Sequence, residues 1–133
     1  MRVRQYRPVF VKSVPAVLAE GVLYVSVEYR TAIHLCACGC RSEVVTPLRP
    51  DKWAITYDGS SVSMRPSLGN WSFPCRSHYW IVRDGMVSWD RTWSDEEVRL
   101  MRQGYSPAGP IGAIGTKTFR TRVTDRIQRL FRP

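Results

Sequence analysis

A chain of 133 residues, 44% apolar and 11% aromatic, is long enough for one domain with one core and too apolar to stay disordered. No apolar run approaches the roughly 20 residues that a membrane-spanning helix needs, and Met1-Arg2-Val3-Arg4 lacks the hydrophobic centre of a secretory signal, so a cytoplasmic protein is expected. The formal charge of +9 suits nucleic acid, anionic membranes or acidic proteins without choosing among them.

The charge is unevenly placed. Arg2, Arg4, Arg7 and Lys12 carry the first 12 residues, and Lys117, Arg120, Arg122, Arg126, Arg129 and Arg132 face a single acid, Asp125, at the other end. Residues 1–12 alternate loosely and read as an edge strand guarded by its own charges. A short segment from Pro15 ends at Gly21. Val22 to Tyr29 is β-branched and aromatic and reads as a buried strand, continuing through Ala32-Ile33-His34 toward three cysteines. Val44-Val45-Thr46 is a short strand stopped by Pro47. Trp53–Tyr57 and Ser61–Met64 flank Asp58-Gly59, a strong hairpin signal. Tyr79–Val82 and Met86–Trp89 flank Arg83-Asp84-Gly85 as a second hairpin, and Pro66 to Trp71 between the hairpins reads as a loop.

Ser94 and Glu97 form a capping box that opens a helix, with Val98, Leu100 and Met101 on its apolar side and Gly104 at its end. Residues 105–115 are Gly/Pro-rich and read as a linker. Phe119, Val123, Ile127 and Leu130 then recur at helical spacing opposite the arginines. The expected architecture is β-rich, mainly antiparallel sheet with hairpins, with one helix near 94–103. The expected divisions are a β-rich domain over 1–104, a linker over 105–115 and a basic amphipathic tail over 116–133.

The chemistry concentrates in two stretches. His34-Leu35-Cys36-Ala37-Cys38-Gly39-Cys40 holds three of the four cysteines, and Asn70-Trp71-Ser72-Phe73-Pro74-Cys75-Arg76-Ser77-His78 holds the fourth; each contains one of the two histidines. In a reducing compartment, clustered cysteines serve as metal ligands or reactive thiols more often than as disulfides. Cys36, Cys38, Cys40 and Cys75 supply the four thiolates of a tetrahedral structural zinc site, although C-x-C-x-C departs from the usual C-x-x-C knuckle. Free thiols and a redox pair remain alternatives. A deaminase site is disfavoured, because His34-Leu35-Cys36 lacks the glutamate of H-x-E and His78 replaces the second cysteine of P-C-x-x-C.

Strand alternation places His34, Cys36 and Cys38 on one face, Cys75 and Ser77 on another shared face, and His78 and Trp80 opposite the latter. If the two stretches pair antiparallel with Cys36 opposite Cys75, His34 falls opposite Ser77, close enough for a serine nucleophile and its base. Asp58, Glu28 and Glu43 are candidates for the group that orients the imidazole; Asp58 is carried as the third residue. The competing reading makes Ser77 a strand hydroxyl and His34 a hydrogen-bonded core histidine or a ligand. Trp53, Trp71, Trp80, Trp89 and Trp93 read first as packing residues, and Asn70 and Ser72 as turn residues before they are groove or oxyanion residues.

Gly21–Ser26, His34–Cys40, Val44–Leu48 and above all Gly69–Ile81 resemble a small bacterial family encoded beside ubiquitin-like proteins and their E1-like and E2-like partners, in bacterial ubiquitination-like (Bub-type) operons. The resemblance covers about residues 9–90. It implies a zinc-containing, serine-type peptidase that matures the ubiquitin-like precursor or removes the modifier. In that reading Cys36, Cys38, Cys40 and Cys75 hold zinc, Ser77 and His34 are the catalytic pair, and His78 is the competing base. A zinc-binding adaptor for the modifier or its E1-like and E2-like partners is the alternative. Binding of nucleic acid through 116–133 is a third, with no recognisable nucleic-acid motif to support it.

Overall fold

The computed structural model describes residues 1–104, and Met1–Thr92 form one compact unit. The linker and the basic tail expected over 105–115 and 116–133 lie outside the described residues. Three small sheets build the unit. The first has four strands in the order β1 (Arg7–Phe10), β2 (Val22–Ser26), β3 (Thr31–Leu35) and β4 (Glu43–Pro47). The second is the hairpin of β5 (Ala54–Tyr57) and β6 (Val62–Arg65), and the third joins β7 (Leu68–Gly69), β8 (His78–Ile81) and β9 (Val87–Trp89). All pairings between these strands are antiparallel except β1 with β2.

The β-rich, mainly antiparallel architecture and its two hairpins agree with the sequence reading. Tyr57 pairs with Val62 around Asp58-Gly59, and Ile81 pairs with Val87 around a 3-10 turn at Arg83–Gly85. The edge strand expected over 1–12 is realised by β1, which runs parallel to β2 (Arg7 opposite Val22). The one α-helix among the described residues, α1 (Asp95–Arg102), begins at the expected capping box: Ser94 Oγ accepts from the Glu97 backbone N–H, and Glu97 reaches back to the Ser94 N–H. It belongs to a second unit that starts at Trp93. No described helix is long and apolar enough to cross a membrane.

Two elements differ from expectation. The long strand through residues 22–34 is broken: β2 ends at Ser26, the chain turns through Arg30 in the left-handed region, and β3 returns antiparallel with Tyr24 opposite Ile33. The Ser26 side chain drives the turn, since its Oγ accepts from the Tyr29 N–H at 3.2 Å. The second difference is β7. Residues 66–71 read as a loop by composition, yet Leu68 and Gly69 pair with Tyr79 and His78. Leu68, 2% exposed, anchors this strand in the same core as Leu23, Val25, Tyr79 and Ile81. Burial of one apolar side chain thus overrides the loop-forming composition around it.

Candidate active site and metal centre

The four cysteine sulfurs come together. They lie within 4.8 Å of one another, with Cys36 to Cys38 at 3.5 Å, Cys36 to Cys75 at 3.9 Å and Cys40 to Cys75 at 3.8 Å. Four sulfurs each about 2.3 Å from a tetrahedral zinc are separated by about 3.8 Å, so this cage fits such an ion. The cage follows from the turn after β3. Cys36 N–H bonds to the Ser42 carbonyl, Gly39 N–H to the Cys36 carbonyl, and Cys40 N–H to the Cys38 sulfur. Gly39 adopts φ +91°, and a Cβ there would meet the Met1 carbonyl oxygen at 2.6 Å, so only glycine completes this knuckle. Burial pushes the Cys36 thiol up, with a hydrogen bond from Ser77 working in the opposite direction. A cation in the cage would offset that burial by stabilising the thiolates.

Cys36 and Cys75 meet through their side chains, but the strand pairing expected between their stretches does not occur. His34 lies opposite Val44, and β8 is flanked by β7 and β9. Ser77 and His34 share no hydrogen bond. Ser77 Oγ is 3.0 Å from Cys36 Sγ, 3.5 Å from Cys75 Sγ and 2.9 Å from Asn70 Nδ2. His34 is fully buried; its Nε2 is 2.7 Å from the Tyr79 hydroxyl, and its ring packs against Tyr6 at 4.8 Å. His34 Nδ1 has no partner, and burial lowers its pKa to about 3, so the ring is neutral.

Asp58 is engaged in its own turn, where Oδ1 accepts from the backbone of Ser60 and Ser61 and Oδ2 from the Ser61 hydroxyl. The backbone N–H groups of Ser61 and Ser60 hold its carboxyl well below the usual carboxylate range. Neither Asp58 nor the exposed Glu28 and Glu43 bonds to His34.

A serine–histidine pair stands instead on the opposite face of β8, where alternation puts His78 and Trp80. Ser67 Oγ is 2.9 Å from His78 Nε2. The register accounts for this contact. His78 pairs with Gly69, and Ser67 lies two residues before Gly69 on the same face, which makes Ser67 and His78 diagonal neighbours. His78 Nδ1 is 2.7 Å from the Arg91 carbonyl. A carbonyl only accepts, so Nδ1 carries the proton and the Nε2 lone pair faces the Ser67 hydroxyl. This is the tautomer a general base requires.

Further contacts fix both groups. Trp53 Nε1 donates to the Ser67 carbonyl at 3.2 Å. The Trp71 indole stands edge-on to the imidazole, ring centres 5.0 Å apart, and occupies the space a Gly69 side chain would take, 2.5 Å from its Cβ position. Asp90 continues β9 opposite His78: its N–H bonds to the His78 carbonyl, and its Oδ2 lies 4.0 Å from Nε2 while accepting from Trp80 Nε1 at 3.1 Å. His78 is 4% exposed, whereas Ser67 is half-buried. Ser67 escaped the sequence reading because it stands beside Pro66 in a stretch of loop composition. The signal that finds it is the antiparallel register that brings Gly69 opposite His78.

No curated protein and no solved structure matches the chain. A family model described as bacterial ubiquitination-like system serine protease (BubE) matches residues 10–90, a span that contains Ser67, His78, Asp90 and all four cysteines. With well over half of its length matched, the chain belongs to the BubE family of bacterial ubiquitination-like system serine proteases.

Proposed function

We propose that this chain is a serine peptidase acting on a ubiquitin-like modifier, either maturing its precursor or removing it from a target, with Ser67 as nucleophile and His78 as base. The carrying observation is the 2.9 Å Ser67 Oγ to His78 Nε2 contact in an imidazole whose other nitrogen is committed to a backbone carbonyl. Family membership places the chain in a ubiquitination-like system, which supports, as partners in this reading, the ubiquitin-like protein and its E1-like and E2-like enzymes. The four-cysteine cage holds zinc in a structural role, since all four of its protein ligands are thiolates and a closed tetrahedral site has no position for a substrate. A reducing cytoplasm that keeps the thiols available as ligands suits this reading.

The chemistry follows from the positions. Ser67 Oγ attacks the scissile carbonyl as its proton passes to His78 Nε2. The resulting imidazolium keeps its Nδ1–H bond to the Arg91 carbonyl, and the Asp90 carboxylate 4.0 Å from Nε2 favours the charge. His78 then returns the proton to the leaving amine, which departs and leaves an acyl-Ser67 ester. Water gives its proton to the same Nε2 and attacks that ester; the imidazolium returns the proton to Ser67 Oγ as the acyl–oxygen bond breaks, which frees the carboxylate of the modifier and restores the serine.

Ser77 and His34, the pair expected from the sequence, are 5% and 0% exposed and are bonded to Cys36 and Tyr79 respectively, so the same chemistry there would require both to leave their partners. Cleavage of a ubiquitin-like precursor by wild type, Ser67→Ala, His78→Ala and Ser77→Ala at matched zinc content tests the assignment. Loss of at least about a thousandfold in Ser67→Ala and His78→Ala, with Ser77→Ala retaining turnover, is expected. Full turnover by Ser67→Ala would sink it. Binding of the modifier without cleavage by wild type would favour the adaptor reading.

A further inference from the structure

Ser77 and Asn70 are not explained by peptide cleavage. Both lie on the face of the β7–β8 hairpin opposite Ser67 and His78, because Asn70 N–H bonds to the Ser77 carbonyl at 2.8 Å and continues the ladder by one residue pair. Their side chains form a short chain toward the cysteine cage. Asn70 Nδ2 donates to Ser77 Oγ at 2.9 Å, and Ser77 Oγ lies 3.0 Å from Cys36 Sγ. An amide NH2 only donates, so the Ser77 oxygen is the acceptor there; toward thiolates, which only accept, its own proton has Cys36 Sγ at 3.0 Å as the nearer acceptor and Cys75 Sγ at 3.5 Å as the farther. A metal-bound thiolate is the charged acceptor that such a donor suits. Ser77 is 5% exposed, which leaves water little opportunity to replace it.

The span between these partners is what the bond would hold. Residues 70–77 form the connection of the hairpin, closed by Phe73 N–H to the Asn70 carbonyl and Arg76 N–H to the Phe73 carbonyl, and it carries Cys75 into the cage. The next residue pair inward is Gly69 with His78, and Ser67 follows.

We infer that Ser77 and Asn70 are outer-sphere positioning residues that donate, in series, to the metal-held Cys36 thiolate and so fasten the register of the β7–β8 hairpin that aligns Ser67 with His78. Ser77 acts through the metal site and does not touch substrate. The inference rests on the proposed metal site; its spectroscopic and affinity readouts do not depend on the peptidase reading.

The test uses the full chain with zinc and with cobalt(II) as a spectroscopic substitute. Ser77→Ala is expected to bind zinc about 10- to 100-fold more weakly in competition with a chromophoric chelator, and to shift the sulfur-to-cobalt charge-transfer band, because the thiolate has lost a hydrogen bond. Asn70→Ala is expected to change both in the same direction by less, and Ser77→Thr, which keeps the hydroxyl, to restore them. Cleavage by Ser77→Ala is expected to recover to within about tenfold of wild type once zinc is saturating. Unchanged affinity and an unchanged band in Ser77→Ala overturn the inference, whatever happens to cleavage. Cleavage abolished at saturating zinc also overturns it, by placing Ser77 on the substrate. If no variant and no wild type cleaves, the two metal readouts still decide the inference while the peptidase reading falls.

Discussion

At the scale of the residue, the two histidines show how burial and hydrogen bonding divide similar side chains between roles. His78 has one nitrogen bound to the Arg91 carbonyl and the other facing a half-buried serine, with the Asp90 carboxylate 4.0 Å away. Asp90 is 38% exposed in its side chain, so solvent and salt screen its carboxylate from the imidazole. Asp90→Asn should therefore lower kcat/KM by no more than about fivefold, and by less at high salt, with zinc content unchanged; steady-state kinetics at two ionic strengths check it.

His34 is the contrasting case, neutral because burial lowers its pKa from the ordinary 6.5 to about 3. The unfolded chain binds a proton that the folded chain refuses, so its contribution to stability is complete above about pH 6.5 and is lost as pH falls from there toward 3. The limiting slope is about 1.4 kcal/mol per pH unit. His34→Gln, which keeps the four cysteines and a hydrogen-bonding partner for Tyr79, should lose less stability than wild type between pH 7.5 and 5.5, as read from urea midpoints.

At the scale of the element, the β7–β8 hairpin does two jobs with its two faces. Ser67 and His78 occupy one, while Asn70 and Ser77 reach toward the cysteine cluster and Tyr79 packs in the core from the other. Gly69 is a crowded position on the first face, because Trp71 fills its side-chain space and backs the imidazole. Gly69→Ala must displace the indole and should cost about 1–3 kcal/mol together with more than tenfold in cleavage; thermal unfolding and kinetics measured on one sample test both.

This hairpin is also where the sequence was least legible. The run of three cysteines at 36, 38 and 40, the Asp58-Gly59 hairpin, the turn at 83–85 and the Ser94–Glu97 cap are local signals, and each is found where local chemistry put it. The alternation that sets His78 against Cys75 and Ser77 is likewise a property of one strand. Which strand lies beside it is not local. The pairing of β8 with a two-residue strand inside a Pro/Gly-rich stretch depends on Leu68 reaching the core, and that pairing selects Ser67 as the partner of His78 in place of the expected contact between Ser77 and His34.

At the scale of the whole molecule, the compact unit of residues 1–92 joins three small sheets around a limited core. The cysteine cage ties the turn after β3 to the β7–β8 connection, two points 35 or more residues apart in sequence. A metal that binds only the folded cage adds its binding free energy to stability. Chelation should therefore lower the unfolding temperature by at least several degrees and abolish cleavage together, with both restored by zinc; circular dichroism and activity across one titration would show whether the two losses coincide. Loss of metal without change in either would separate the cage from the active site.

The most direct test of the account is to react the zinc-loaded full chain with a serine-directed fluorophosphonate, or with a modifier carrying a carboxy-terminal electrophile, and to locate the adduct by peptide mass spectrometry. The account predicts a single adduct on Ser67, absent in His78→Ala. An adduct on Ser77 or Ser72, or labelling of Ser67 that persists in His78→Ala, would contradict it.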